Sequence, residues 1–340
     1  MKTYRFDSFD SLDDLRQRDE PAPRPQRGEV LVRVCAVSLN FRDLAMLRGR
    51  YPRACRPGLI PLSDAAGEIV ELGEGVQSFK VGDRVMGAFH PRWFGGEMPS
   101  TILADSYGAE SDGWLTELKA VSQEALVAVP DGISYDEAAT LPCAGVTAWT
   151  ALTGSTPIRA GHSVLVLGSG GVSIFALQLA RAVGATVVAT TSSADKIQRL
   201  KDLGASEVVN YADDPQWGKA VRGLTGGRGV DRVVEVGGPG TIAQSLRAVA
   251  LGGEIASIGF LSTENPGIDF FQLKGSGASF RNIAVGDRNA LIELSRVIAM
   301  AGIKPVIDRI FDFVSAREAF AHLESGAHLG KVVIRGPGVL

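Results

Sequence analysis

Residues 163–184 read SVLVLGSGGVSIFALQLARAVG. A β-branched, aliphatic run leads into Gly168-Ser169-Gly170-Gly171-Val172-Ser173, and apolar residues then recur at helical spacing until Gly184 ends the pattern. Strand, glycine turn and helix in this order are the context in which a glycine-rich fingerprint signals dinucleotide binding. Gly168 permits the tight turn and Gly170 lets the backbone approach a pyrophosphate. Gly171 and Val172 open a helix whose first N–H groups and positive dipole end attract the anion. Ser173 stands where a third glycine is usual and is small enough to keep helix and strand in contact.

Outward from this stretch, short β-branched runs alternate with helix-like segments. The runs are 163–167, 186–191 (TVVATT), 207–210 (EVVN), 232–236 (RVVEV), 254–259 (EIASIG) and 280–286 (FRNIAVG). Alternation of this kind predicts βαβ units and a parallel sheet, and six strands suit a doubly wound Rossmann α/β fold. The end of the second strand discriminates between nicotinamide cofactors, because a carboxylate there bonds the ribose 2′-OH of NAD. Here Thr191 is followed by Ser192, Ser193, Ala194, Asp195 and Lys196. Hydroxyls take the place of the carboxylate, and Lys196 can pair with a 2′-phosphate. The expectation is NADPH rather than NADH. A plain solvated helix start, with a serine cap and Asp195 beside it, is the competing reading.

The N-terminal part has another texture. EVLVRVCAVSLN (29–40) and the segment 67–87 alternate apolar and polar residues between Gly-Asp and Gly-Glu turns, which predicts a β-rich, barrel-like domain. Residues 88–120 show no period and read as a long loop. Beyond Gly302, KPVIDRIFDF, the helix-like SAREAFAHLESG and GKVVIRG look like a return to the first domain. The expected organisation is a catalytic domain in residues 1–125 and 304–340, split by a dinucleotide-binding domain in residues 126–303.

Bulk properties narrow the function. A net charge of -3, with both signs dispersed, gives no footprint for nucleic acid or for an anionic membrane. No run approaches a membrane span and the first residues lack a secretory pattern, so the expected location is the cytoplasm. Three cysteines, Cys35, Cys55 and Cys143, suggest neither a disulfide framework nor a structural zinc cluster. Among His90, His162, His322 and His328 no pair has metal-ligand spacing.

Several motifs in order, GEVLVRVCAVSLNFRDL (28–44), IPLSDAAGEIVELGEGV (60–76), FKVGDRV (79–85), AATLPCAGVTAWTAL (138–152), GSGGVS (168–173), DRVVEVGG (231–238) and GKVVI (330–334), span nearly the whole chain. By these the sequence resembles the medium-chain dehydrogenase/reductase superfamily, specifically its zinc-independent quinone oxidoreductase and enoyl reductase branch. The resemblance implies a GroES-like catalytic domain, a Rossmann domain with a substrate cleft between them, and a homodimer. Zinc-dependent relatives put metal ligands at places held here by Asn40, Ser63 and Cys143. One potential ligand of three cannot hold a catalytic zinc, which needs three protein ligands and an open position.

Without a Lewis acid, a simple ketone loses its usual charge stabilisation at oxygen, whereas hydride addition to a conjugated carbonyl or quinone gives an enolate that needs only donors and a proton. Asn40, Arg42 and Asp43 lie on the segment that faces the nicotinamide in the family. Asn40 either orients substrate or holds its own loop. Tyr51 matches the tyrosine taken as proton donor in enoyl reductases of this branch. A phenol is protonated at neutral pH and can donate, though packing of a loop is the alternative. Arg42, His90 and Trp93, with Arg92, are candidates for the substrate side. Further cofactor contacts implied by motif are Thr147, Tyr211, Gly237, Ile258, Gly259 and Phe260, several of them at strand C-termini where ligands bind open α/β sheets. The leading expectation is an NADPH-dependent reductase of quinones or α,β-unsaturated carbonyls. A zinc-free alcohol or ketone dehydrogenase and a non-catalytic nucleotide-binding sensor are the alternatives.

Overall fold

A computed structural model describes all residues except 10, 52–54, 103–104, 155, 263, 265 and 339–340. In chain order the strands and helices begin with β1 (Lys2–Phe6), β2 (Leu15–Asp19), β3 (Glu29–Ser38), α1 (Phe41–Leu47), β4 (Asp64–Leu72), β5 (Arg84–Gly87), β6 (Leu118–Ser122), β7 (Leu126–Ala128) and α2 (Tyr135–Ala138). They continue with α3 (Val146–Thr153), β8 (Ser163–Leu167), α4 (Gly171–Ala182), β9 (Thr186–Thr191), α5 (Asp195–Asp202), β10 (Glu207–Asn210), α6 (Trp217–Leu224), β11 (Val230–Glu235), α7 (Pro239–Ala248) and β12 (Val249–Ser257). The last are α8 (Phe270–Ser276), β13 (Ser279–Asn282), α9 (Arg288–Ala301), β14 (Ile307–Phe311), α10 (Ala316–Glu324) and β15 (Lys331–Arg335).

The chain divides into two units, one of residues 1–146 with 286–340 and one of residues 147–285. The sequence reading places these junctions near 125 and 303. The difference has a physical source: β7 completes the first unit's sheet by pairing with β5, and α9 packs against β7 and the turn before α3.

The second unit is a six-stranded, all-parallel sheet in the order β10-β9-β8-β11-β12-β13. This is the doubly wound Rossmann order, with its reversal between β8 and β11. Strands β8, β9 and β10 occupy the segments read from sequence. β12 runs from Val249 to Ser257 and stops short of Ile258 and Gly259, whose N–H groups both turn to Glu235 O, at 2.9 and 3.2 Å. β13 ends at Asn282, one residue before its last rung, Ile283 N–H to Ser257 O. Leu165, Val188, Val233, Ile255, Trp217 and Leu246 form the core under one face. Arg232, 1% exposed, donates to the Ala151 and Thr156 carbonyls and so ties the α3 end to the sheet.

In the first unit the sheet runs β14-β15-β3-β4-β5-β7, with β6 also on β3, and β1 pairs with β2 in a separate hairpin. β15 pairs antiparallel with β3, so the C-terminal segment does rejoin the N-terminal one. Val32, Val34, Ile69, Val85, Trp114 and Phe320 are among its buried residues. Among the described residues no β-strand or α-helix lies between β5 and β6, yet this loop is anchored: Trp114 is 1% exposed, lies edge-on to Tyr107 and leaves no space for a side chain at Gly87. Helix α1, which periodicity alone does not announce, starts at Phe41 with Asn40 as its N-cap.

Candidate active site

In the second unit, the turn after β8 has the geometry that an anion needs. Gly168 sits at φ +72°, a conformation costly for other residues, and a Cβ on Gly168 or Gly170 would meet no atom within 4 Å. Open space therefore stands over the backbone at the α4 N-terminus. Gly170 is the N-cap and brings no side chain to satisfy the first N–H groups, those of Gly171 and Val172 included. Ser173 is buried and donates its Oγ–H to Leu167 O at 2.6 Å, so the residue replacing the third glycine bonds helix to strand. These residues fit a dinucleotide pyrophosphate.

The end of the neighbouring strand β9 carries short hydroxyl side chains. Gly168 N–H donates to Thr190 Oγ1 at 3.3 Å, and Ser193 N–H to Thr191 Oγ1 at 3.1 Å. Ser192 is exposed, Ser193 and Lys196 are half-buried, and Asp195 is exposed. Ala194, the N-cap residue of α5, makes no side-chain cap bond. Tyr211 is 42% exposed and its N–H donates to Thr191 O at 2.9 Å, which places it beside this strand end. Thr147 is buried in α3.

At the ends of β11 and β12, Gly237, Ile258, Gly259 and Phe260 are assembled by a residue that sequence reading passed over. Glu235 is fully buried; its Oε1 accepts from Gly237 N (2.8 Å), Gly238 N (3.0 Å) and Thr241 Oγ1 (2.5 Å), and its Oε2 from Ser245 Oγ. Gly238 has φ +81°, and a Cβ there would lie 2.8 Å from Gly259 O, so the two loops are in close contact.

In the first unit, the start of α1 is a buried polar cluster. Asn40 N–H donates to Asp43 Oδ2 at 2.7 Å, and Lys331 Nζ donates to Leu39 O (2.5 Å) and Asn40 Oδ1 (2.6 Å). Asp64, fully buried, accepts from Ser63 Oγ at 2.7 Å and from Cys143 N at 3.2 Å. Burial pushes the Asp43 carboxyl up to about 6, against the opposing pull of Arg42 and the Asn40 N–H. Burial also raises Asp64 and lowers Lys331, each partly offset by the other's charge. The Cys143 thiol is pushed well up by burial and next by Asp64, which keeps it protonated.

Arg42 is 7% exposed. Its guanidinium donates to Tyr107 O (3.0 Å) and Ser106 Oγ (2.9 Å) and lies 4.7 Å from the Phe89 ring centre and 5.2 Å from that of Tyr51. Arg42 thus anchors the 106–107 loop and stacks on Tyr51, whose own N–H reaches Ala45 O at 3.1 Å. His90 is buried with Nδ1 2.7 Å from Asp105 O; a carbonyl only accepts, so Nδ1 carries the proton. Trp93 is half-buried, 5.9 Å from the His90 ring, and Arg92 is held by Asp105 at 2.8 Å.

The donor set is unsuited to zinc. Asn40 offers an amide oxygen already taken by an ammonium and Ser63 a hydroxyl bonded to Asp64, which leaves Cys143 as the one ordinary zinc ligand of the three. Among the described residues no group of three His, Cys, Asp or Glu side chains is placed to hold a metal ion. His322 is instead paired with Asp308 at 2.7 Å.

Sequence reading found Asn40, Arg42, Asp43, Ser63 and Cys143, but not Lys331, Asp64 or Glu235. Lys331 and Asp64 lie inside quoted motifs, and a charged residue within an otherwise apolar strand was the available signal.

A family model described as "Alcohol dehydrogenase GroES-like domain" matches residues 26–131, and one described as "Zinc-binding dehydrogenase" matches residues 171–300. The chain is 38% identical, over 97% of each sequence, to a zinc-type alcohol dehydrogenase-like protein of Schizosaccharomyces pombe. It is 30% identical to an acryloyl-coenzyme A reductase of Metallosphaera sedula, covering 93% of this chain and 95% of that one. A mycobacterial protein solved in complex with NADPH superposes with a TM-score of 0.83 at 29% identity, covering 98% of this chain and all (100%) of that one.

Proposed function

Because the chain belongs to the medium-chain dehydrogenase/reductase superfamily of oxidoreductases, we propose that it is a zinc-independent, NADPH-dependent reductase of quinones or α,β-unsaturated carbonyls. The observation that carries this reading is the state of the three would-be ligand positions, above all Asn40, whose oxygen accepts from the Lys331 ammonium. An acceptor whose negative charge is delocalised as it forms suits a site built from hydrogen-bond donors alone. The acyl-thioester named in the Metallosphaera relative is a conjugated acceptor of this kind.

The pyrophosphate is held by the Gly168–Val172 turn and the α4 N-terminus, and the 2′-phosphate by Ser192, Ser193 and Lys196. Tyr211, Thr147, Gly237, Ile258, Gly259 and Phe260 supply further cofactor contacts. A bound reduced nicotinamide supplies the hydride. Tyr51 then gives its phenolic proton to the acceptor, and the Arg42 guanidinium over its ring steadies the charge left on oxygen. Asn40, Arg42, His90 and Trp93 orient the acceptor. A homodimer acting in the cytoplasm belongs to the same proposal, supported by the motif resemblance.

The alcohol dehydrogenase name of the Schizosaccharomyces relative favours a second reading, oxidation of a secondary alcohol. Consumption of NADPH and NADH, with EDTA present, against a panel of quinones, enones, enoyl thioesters and simple ketones separates the two. Chelator-resistant oxidation of NADPH by a conjugated acceptor is the expected result. Turnover restricted to ketones and alcohols, or abolished by EDTA, would overturn the proposal.

A further inference from the structure

Lys331 is 3% exposed and projects from β15 into the turn that starts α1. A buried ammonium is costly to dehydrate, so its acceptors indicate what it is kept for. Two are recorded, Leu39 O at 2.5 Å and Asn40 Oδ1 at 2.6 Å. The next residue, Val332, adds its carbonyl, which accepts from Leu39 N at 3.1 Å and Ser38 Oγ at 3.3 Å. Two consecutive residues of β15 thus clamp three consecutive residues ahead of α1.

The clamp has a definite sense. An ammonium only donates, so the Asn40 amide must turn its oxygen to Lys331, and Nδ2 is forced to the opposite edge, toward the Asp64 carboxylate, without a well-aligned hydrogen bond. Asn40 also caps α1, exchanging N–H to Asp43 Oδ2 (2.7 Å) for Asp43 N–H to Asn40 O (3.0 Å). α1 is only seven residues long, so its direction is set by this first turn. Arg42, inside that turn, carries the stack on Tyr51 and Phe89.

The geometry points to Lys331 as a positioning residue for hydride acceptance: by fixing the Asn40 amide and the first turn of α1, it places Arg42 and Tyr51 against the acceptor. This rests on the reductase reading above for the role of Tyr51, but the positioning of Asn40 is independent of it.

Lys331→Met alone leaves Asp64 buried without its cation and can fail to fold. Lys331→Met/Asp64→Asn removes one charge of each sign; the amide oxygen stays as acceptor for Cys143 N–H, and the amide NH2 meets Ser63 Oγ, which can accept in place of donating. Three readouts apply to this double variant: its melting temperature, its kcat and KM for acceptor and for NADPH, and the side-chain amide spectrum of ¹⁵N-asparagine-labelled protein. The chain has five asparagines and Asp64→Asn adds a sixth, so the Asn40 pair is identified in each background by its loss when Asn40→Ala is added. The expected result is a folded protein with unchanged KM for NADPH, a kcat lower by roughly 10- to 100-fold, and an Asn40 amide that has lost its protection from hydrogen exchange, whereas Asp64→Asn alone keeps both the kcat and the protection. A double variant with wild-type kcat and a protected Asn40 amide would overturn the proposal, since Lys331 would then serve only to balance Asp64. If wild-type protein reduces no conjugated acceptor, the reductase reading fails, and the Asn40 exchange still decides the role of Lys331.

Discussion

The two units hold their chemistry in different ways. In the second, the candidate site is made of backbone and empty space: Gly168 and Gly170 leave room over a helix end, and the neighbouring strand contributes short hydroxyls. In the first, it is made of charged side chains closed in on one another, with Lys331, Asp43 and Asp64 all buried. A backbone site tolerates any side chain that stays out of the way. A side-chain lattice fails when one member is lost, because its partners remain buried and unpaired.

The contrast can be broken most decisively at Gly170. Its φ of -76° suits any residue and no atom stands within 4 Å of a Cβ there, so Gly170→Leu should fold with an unchanged melting temperature. Dinucleotide affinity should nevertheless fall by roughly 10²-fold or more, because the side chain fills the pyrophosphate space. Titration by cofactor fluorescence tests this, and retained affinity would place the pyrophosphate elsewhere. Next in size is Tyr51→Phe, expected to lower kcat by roughly 10²-fold with NADPH binding intact. Near-wild-type turnover in single-turnover assays would remove Tyr51 from the chemistry.

The lattice also makes a prediction about pH. Burial lifts the Asp43 carboxyl from an ordinary value near ~4 up to about 6, so the folded chain holds that proton more tightly than the unfolded chain. Stability from this group is complete below pH ~4 and is lost as pH rises through 6. Asp43→Asn should abolish that decline, so its melting temperature should gain on wild type between pH 4 and 6.5, by a difference equivalent to at most about 3 kcal/mol. Parallel curves for the two proteins would show that Asp43 does not titrate there. The smallest effect belongs to the second unit. Ser193→Asp with Lys196→Ala should swing cofactor preference toward NADH by roughly 10-fold, and an unchanged NADPH/NADH ratio would mean that the 2′-phosphate lies elsewhere.

Legibility in the sequence follows the same division. The parallel sheet was readable because strand, turn and helix are consecutive: 163–167, 186–191 and 207–210 agree with β8, β9 and β10 to the residue. The ends of β12 and β13 were not, since what stops them is Ile258 and Gly259 turning to Glu235 O, a contact between different strands. Asn40, Asp43 and Cys143 were found by motif, but Lys331 and Asp64, which bond Asn40 and Cys143, were passed over. Lys331 sits in a run that reads simply as a strand, and only the pairing of β15 with β3 brings its amine to Asn40. Likewise the 88–120 segment reads as a long loop without period, and only the structure shows that Trp114 and the Arg42 bonds to Ser106 and Tyr107 secure its second half.

The clamp of β15 on the α1 turn also imposes a timetable on synthesis. Lys331 is translated 291 residues after Asn40, and residues 147–285 are complete before it appears. At about 5–20 residues per second, a nascent chain spends roughly 15–60 s with Asn40 made and its amine still missing. The dinucleotide unit, closed by neighbouring strands, can form during that interval. The first unit has no Lys331 ammonium to set against Asp64 until β15 emerges, so its buried polar cluster can close only after the second unit has been made.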